Sequence, residues 1–384
     1  MNFNKRADHL IILLCTSIFA IAAIFRVNIN EYSFKEVLQG TDDWNRYARN
    51  ALDIKENGLL LKTLAGNYIV PAGFFYNYFI AACFFIFGNN IAVVYVIQSF
   101  LLGLTVFTTY FLFRTKMKPL TSYFFLVTLI IFGFSDFFKY YSFRLLSENL
   151  CVLTVILFFY FYSKTTRKPT LFLQFISGIL LGMSILTRPN LLPFAIAFFL
   201  LIVIISKFKL TAIKYYWVMM LSCFLFVLLL PLRNFLVTHN FKLLPVDGTF
   251  FEYMARANPI LFFEDPVHFF WYYLKKLVYC FGFLPVLDSA YNIRPHWIIM
   301  WSGYFIYLWT YSKKIITSFN LESVMHLFIF LFYLTLILIA PIQIYGFRML
   351  LPCLLIVLGF SFIGFEIIFL KFYRNSKIDK IHHS

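Results

Sequence analysis

The sequence predicts an all-α fold, a polytopic membrane bundle of about ten transmembrane helices with further juxtamembrane helices at the outer face. Of its 384 residues, 61% are hydrophobic and only 13% are charged, whereas soluble domains carry roughly a quarter charged residues. Apolar runs recur from residue 9 to residue 370, and the polar stretches between them are too short to form a separate domain. We therefore expect a single membrane domain covering residues 1–384.

Each expected span is an apolar stretch able to cross about 30 Å of hydrocarbon as a helix. The stretches are 9–26, 91–113, 119–134, 149–163, 170–187, 190–206, 213–231, 296–312, 323–342 and 349–370. This assignment leaves two long outer segments, 27–90 and 232–295. Within the second, residues 269–287 are aromatic and carry two adjacent lysines, which predicts an amphipathic helix at the membrane surface or one shallow membrane insertion.

The basic residues set the orientation of these helices, because Lys and Arg accumulate in cytoplasmic loops. A further apolar stretch, 72–88, is ambiguous. If it lies at the outer surface without crossing, every basic loop falls on the side of Lys5 and Arg6. These loops and the tail contain Arg114, Lys116, Lys118, Lys164, Arg167, Lys168, Lys207, Lys209, Lys214, Lys313, Lys314, Lys371, Arg374, Lys377 and Lys380. We therefore expect a multi-pass protein of the cell membrane with both termini cytoplasmic.

The net charge of +16 is explained by this topology, so nucleic-acid binding is not predicted. The six cysteines stand singly, almost all within apolar runs, which is typical of small buried residues and not of a metal or redox site. The chain has no phosphate-binding glycine loop and no G-x-S-x-G element. No cofactor is indicated, although the use of a divalent cation stays open.

The first outer segment carries an acidic run where an amphipathic helix is expected to begin. Asp42 and Asp43 lie in this run, and Asp43, Tyr47 and Ala51 share one helix face. Carboxylates at a helix start also cap free N–H groups, so a structural role is an alternative. The position near the water–lipid boundary favours a base that acts on a lipid-borne substrate.

Further candidates lie at the predicted outer helix ends. Glu148 begins the span 149–163, and a carboxylate there is costly unless it faces the bundle interior or is paired, with capping as the alternative. Planar guanidinium groups suit phosphate oxygens, so outer arginines favour a clamp for a lipid-linked phosphate, to which two lysines would add. The alternative for each arginine is that its side chain only extends its charged end to the membrane–water interface. The residues concerned are Arg188, Arg233, Arg348, Lys275 and Lys276.

The order of these features resembles the GT-C superfamily of integral membrane glycosyltransferases, which includes protein O-mannosyltransferases and aminoarabinose-lipid transferases. The resemblance covers most of the chain. It depends on the order and spacing of several short sequence elements more than on any single element. The matching pieces are the D-x-x-x-Y-x-x-x-A run from Asp43 to Ala51, the close of an apolar stretch in Phe87-Gly88-Asn89, the S-E-x-L element from Ser147 to Leu150, the glycine-rich run from Gly178 to Pro189, and Arg348 with Pro352.

This resemblance implies a cell-envelope enzyme that moves a sugar from a polyprenyl-phosphate donor to a lipid, glycan or protein acceptor at the outer membrane face. It implies Asp43 as the base of an inverting displacement. Asp42 is the alternative, because Trp44 stands where many relatives have a second acid. Glu148 would be the acid of the second outer loop. The substrate-binding residues would be Tyr47, Arg188, Arg233, Lys275 and Arg348.

Other functions stay open at this point. A lipid-linked sugar flippase or transporter usually places ionisable residues or broken helices near the bilayer midplane, whereas the charges here lie at helix ends. A polysaccharide polymerase of the O-antigen type would depend on the late outer segment, 232–295, and a glycosyltransferase on the first one. A scaffolding subunit would tolerate loss of the outer carboxylates.

Overall fold

A computed structural model of the chain describes residues 16–24, 34–39, 43–60, 73–135, 144–205, 216–239, 241, 265–281, 295–317, 320–339 and 346–382. Within these ranges the regular structure is entirely helical, and no strand is present. This confirms the predicted all-α class. Helices suit a lipid environment because their backbone hydrogen bonds are satisfied within one segment.

The described helices, in chain order, are α1 (16–24), α2 (Phe34–Gln39), α3 (Asp43–Asn57), α4 (Phe74–Phe87), α5 (Ile91–Phe113), α6 (Pro119–Gly133), α7 (Glu148–Arg167), α8 (Leu171–Thr187), α9 (Leu192–Ile205), α10 (Trp217–Val227), α11 (Leu229–Thr238), α12 (Pro266–Cys280), α13 (Pro295–Thr317), α14 (Leu321–Ile339) and α15 (Gly346–His382). Short 3₁₀ turns cover Arg114–Lys116 and Pro189–Leu191.

Four described helical stretches are long and apolar enough to cross a membrane: Ile91–Lys116, Glu148–Arg167, Trp217–Thr238 and Leu351–Tyr373. Shorter apolar helices lie at Phe74–Phe87, Pro119–Gly133, Leu171–Thr187, Pro189–Ile204 and Leu321–Thr335. These helices confirm a polytopic helical membrane protein. The total of about ten spans and the orientation of the termini stay predictions.

Two helices differ in extent from the predicted spans. The expected span 213–231 corresponds to α10 and α11, which meet at Leu228, and the helix continues past Pro231 to Thr238. Pro231 is the third residue of α11, where its missing N–H would have had no helical partner. Arg233 therefore lies within a helix and not at its end. The last predicted span, 349–370, lies inside the longer helix α15.

Two compact units divide the chain. The first contains Met1–Thr108 and Ile130–Asp247, and the second contains Thr109–Leu129 and Gly248–Ser384. In the first unit α8 packs on α7 and α10. A Cβ atom added to Gly178 would lie 2.2 Å from the Met219 carbonyl oxygen, so the absence of a side chain allows α8 and α10 to approach closely.

Hydroxyl groups join the buried surfaces of α7 and α8. The Ser184 hydroxyl donates to Thr154 Oγ1 over 3.0 Å, and the Thr165 and Ser177 hydroxyls lie 3.4 Å apart. All four residues are buried. Interhelical hydrogen bonds of this kind stabilise membrane helix pairs where water is absent.

In the second unit, a polar network joins the end of α5 to α13 and α14. Lys116 forms an ion pair with Glu322 over 2.5 Å, and the Tyr307 hydroxyl donates to the other Glu322 oxygen over 2.8 Å. One turn along α14, His326 shares a hydrogen bond of 2.9 Å with the Tyr304 hydroxyl. Glu322 therefore bonds to two side chains within the second unit, Lys116 and Tyr307.

Candidate active site

Helix α3, in the segment predicted to be the first outer one, packs its apolar face on α4. Tyr47, Ala48 and Ala51 are buried in one cluster with Tyr76 and Ile80 of α4. The predicted face of α3 is thus confirmed for Tyr47 and Ala51. Asp43 is the first residue of this helix, but its side chain and the whole of Asp42 lie outside the described residues.

Tyr47 is held in a tight site. Its ring packs edge-on against Tyr76, with ring centroids 5.0 Å apart, and it is 6% exposed. A Cβ atom at Gly73 would lie 2.8 Å from the Tyr47 ring and 3.0 Å from its hydroxyl oxygen. Gly73 also has a φ of 57°, which glycine adopts readily. Glycine is therefore needed there both for the backbone and for the space that Tyr47 fills.

Asparagine side chains tie α3 to its neighbours. Asn45 Nδ2 donates to the Val37 carbonyl oxygen over 2.5 Å, which anchors the start of α3 to α2. Lys55 Nζ donates to Asn89 Oδ1 over 2.8 Å near its end. Asn45 thus anchors the start of the helix, and Lys55 adds an exposed polar contact near its end.

A hydrogen-bonded chain brings the segment that precedes α7 beside α4. The Tyr76 hydroxyl donates to Gln98 Oε1 over 2.5 Å, and Gln98 Nε2 donates to the Arg144 carbonyl oxygen over 2.9 Å. Leu145 and Leu150 belong to the same buried cluster as Tyr47. The segment that contains Glu148 is therefore packed against the α3–α4 pair.

Glu148 and Arg188 form a buried ion pair. Arg188 Nη2 donates to Glu148 Oε1, and the exposed fractions of the side chains are 2% for Glu148 and 17% for Arg188. Glu148 begins α7, and Arg188 follows the last residue of α8. The carboxylate is thus both interior and paired, as its position at a helix start requires. The N-cap residue Ser147 is fully buried and makes no side-chain cap bond.

Arg233 lies buried in α11, close to the end of α3. It is 3% exposed; its Nε donates to the Leu60 carbonyl oxygen over 3.0 Å, and Nη1 donates to Asn234 Oδ1 over 2.9 Å. One turn earlier, Leu230 packs with Phe74 and Leu186 in a small cluster. This cluster links the helices that carry Arg233 and Arg188 to α4.

Tyr78 of α4 shares this neighbourhood. Its hydroxyl donates to the Leu59 carbonyl oxygen. Burial raises the pKa of the Tyr78 hydroxyl, and the Arg233 charge partly opposes that rise. Since the ordinary tyrosine pKa is already about 10, the hydroxyl keeps its proton at neutral pH and remains a hydrogen-bond donor.

Of the sequence-predicted site residues, the structure brings together Tyr47, Glu148, Arg188 and Arg233 around α3, α4 and two apolar clusters of the first unit. Lys275 lies in α12 and Arg348 in the first turn of α15, both in the second unit. The side chains of Lys275 and Arg348 lie outside the described residues.

Several polar residues at this site were not singled out from the sequence. Asp53 is 8% exposed and accepts a hydrogen bond from Asn57 over 2.8 Å. Asn50 Nδ2 lies 3.5 Å from Asn77 Oδ1, and both residues are buried. The spacing of Asn50, Asp53 and Asn57 along one face of α3 was the available signal, but a polar stripe on an amphipathic helix usually indicates a solvated face.

Comparison with known families gives one match. Residues 71–232 match the dolichyl-phosphate-mannose-protein mannosyltransferase family. The matched region includes α4 and the Glu148–Arg188 pair, and it ends one residue before Arg233. This match confirms the resemblance to GT-C glycosyltransferases and supports a membrane glycosyltransferase of the mannosyltransferase type. No curated protein matches the chain.

Proposed function

We propose that this chain transfers a sugar from a polyprenyl-phosphate donor to a lipid, glycan or protein acceptor at the outer face of the cell membrane. The observation that carries the proposal is the Glu148–Arg188 ion pair, which lies buried inside the region matched by the mannosyltransferase family. Removing two charges from water costs free energy of folding. A pair kept at two helix ends suits a site that must bind an anionic headgroup next to an apolar chain.

Arg188 is proposed to bind the donor phosphate. A guanidinium group has five N–H donors, and one of them is directed to Glu148 here. The part of Arg188 that stays exposed would receive phosphate oxygens, while Glu148 holds the guanidinium in place. Arg233 would add positive charge as the phosphate leaves, and Tyr47 would line the substrate site. Lys275 and Arg348 stay predicted substrate-binding residues.

Asp43 is proposed as the base, with Asp42 as the alternative. The acceptor oxygen attacks the anomeric carbon from the face opposite the phosphate, and its proton passes to the carboxylate. The bond between the anomeric carbon and the phosphate oxygen breaks, and its electron pair leaves with the polyprenyl phosphate. The anomeric configuration is inverted. Asp43 begins a helix whose buried face contains Tyr47, and this shared helix supports the proposed role.

The test is transfer of radiolabelled sugar from polyprenyl-phosphate donors, using membranes with matched protein abundance. Asp43→Asn is expected to lower the transfer rate by about 100-fold or more, the usual contribution of a positioned base. Asp42→Asn is the comparison that identifies the base. Glu56→Gln is the matched control, because Glu56 is an exposed carboxylate on the same helix.

Glu148→Gln is expected to raise the donor KM, because Arg188 loses the group that positions it. Parallel reactions with a chelator report whether a divalent cation assists. Wild-type transfer rates in Asp42→Asn, Asp43→Asn and Glu148→Gln alike would contradict the proposed site and favour a transport or scaffolding role.

A further inference from the structure

The end of α3 presents two consecutive carbonyl groups to side chains from other helices. The helix ends at Asn57, and Gly58 follows with a φ of 98°. The carbonyl oxygen of Leu59 accepts from the Tyr78 hydroxyl on α4, and that of Leu60 accepts from Arg233 Nε on α11 over 3.0 Å. Carbonyls after a helix end lack intrahelical partners, so such bonds can fix where the chain leaves the helix.

Charge compensation strengthens this arrangement. Arg233 is almost fully buried, and a buried cation needs a compensating charge. Asp53, near the end of α3, interacts electrostatically with Arg233 and is itself held by Asn57. The last turns of α3 therefore supply a carboxylate, and the two residues after Gly58 supply two carbonyl acceptors, to Tyr78 and Arg233.

We infer that Tyr78, acting with Arg233, latches the end of α3 and thereby positions the acidic first turn of the same helix. The inference rests on the proposed function, because it assigns the latch a role in placing the base. A 15-residue helix is about 22 Å long and moves nearly as one body. Asn45 ties the start of the helix to α2, and the Tyr78 and Arg233 bonds hold the residues that follow its end. Without those bonds the helix would pivot about the Asn45 contact, which changes the direction of its first turn. A displacement of about 1 Å at a reacting group can lower the rate by about 100-fold.

Tyr78→Phe is the test variant, because it removes the hydroxyl and keeps the ring that packs on Phe74 at 4.9 Å. Tyr123→Phe is the matched control, because Tyr123 is 52% exposed. The first readout is the rate at which glutamyl endopeptidase cleaves after Glu56 in the purified full-length protein. Cleavage there requires the end of α3 to open. Tyr78→Phe is expected to raise the rate by about fivefold, the effect of one ordinary hydrogen bond, and Tyr123→Phe to leave it unchanged.

The second readout is the kinetics of sugar transfer. Tyr78→Phe is expected to lower kcat by about tenfold with an unchanged donor KM, because the displaced group is the base and not the phosphate clamp. A general loss of structure would not produce that split. Arg233→Lys is measured by cleavage only, since Arg233 is part of the proposed binding site, and it is expected to raise the rate in the same way.

The outcomes separate the latch from the proposed function. Cleavage at the wild-type rate in both Tyr78→Phe and Arg233→Lys overturns the latch, whatever the transfer assay shows. Faster cleavage with an unchanged kcat, or with a raised donor KM, overturns the positioning role. If the wild type transfers sugar from no donor, the proposed function fails and the cleavage rates alone decide whether the latch exists.

Discussion

Glu148 and Arg188 should contribute to the free energy of unfolding as a coupled pair, so that neutralising either residue is costly. The Glu148 carboxylate is 2% exposed and the Arg188 side chain 17% exposed, so each charge is compensated mainly by the other. Breaking a buried pair by removing one partner costs about 3–5 kcal/mol. Because Arg188 retains some exposure, the lower end of that range is expected for Glu148→Gln and for Arg188→Gln.

The double variant should lose much less than the sum of the single changes. Two neutral amides can hydrogen-bond to each other, and no uncompensated charge is left. If each single change costs about 3 kcal/mol and the double change costs about the same, the coupling energy is about 3 kcal/mol.

Reversible unfolding by dodecyl sulfate in mixed micelles, followed by tryptophan fluorescence, measures these free energies. A double-mutant cycle on the exposed contact between Lys55 and Asn89 is the control, and its coupling energy is expected to be close to zero. Additivity within about 0.5 kcal/mol for Glu148 and Arg188 would refute the reasoning.

Two further changes test the packing of the second unit. Gly364→Ala should lower the free energy of unfolding by about 1–3 kcal/mol, because the new methyl would lie 2.0 Å from the Gly303 carbonyl oxygen; an unchanged free energy of unfolding would contradict this. Glu322→Gln should lower the free energy of unfolding by about 1–2 kcal/mol in the same unfolding assay. In that variant, removing the Lys116 charge as well should change the free energy of unfolding very little.

The helices were predictable because hydrophobic length and backbone satisfaction leave few alternatives in lipid. The predicted span 91–113 coincides with α5, and the stretch 72–88, predicted to be a surface or re-entrant helix, contains the 14-residue helix α4. The end predicted at Pro231 was wrong, because proline within the first turn of α11 interrupts no hydrogen bond.

The site was predictable only in part. Helical periodicity placed Tyr47 and Ala51 on one buried face, and the cost of a carboxylate at a helix start indicated that Glu148 needs a partner. The sequence could not indicate that this partner is Arg188, which lies 40 residues away and meets Glu148 through tertiary packing. Tyr78 was missed for the same reason, since its hydroxyl bonds to Leu59, which lies 19 residues away. Asp53 was missed because a polar stripe on an amphipathic helix usually indicates a solvated face.

The most direct test of the central claim is the release of polyprenyl phosphate by the purified protein in liposomes that contain a polyprenyl-phosphate sugar and an acceptor. The wild type is predicted to release polyprenyl phosphate in step with acceptor glycosylation and to invert the anomeric configuration, while the double variant with Asp42→Asn and Asp43→Asn does neither. Equal release and equal acceptor glycosylation by the wild type and the double variant would contradict the account.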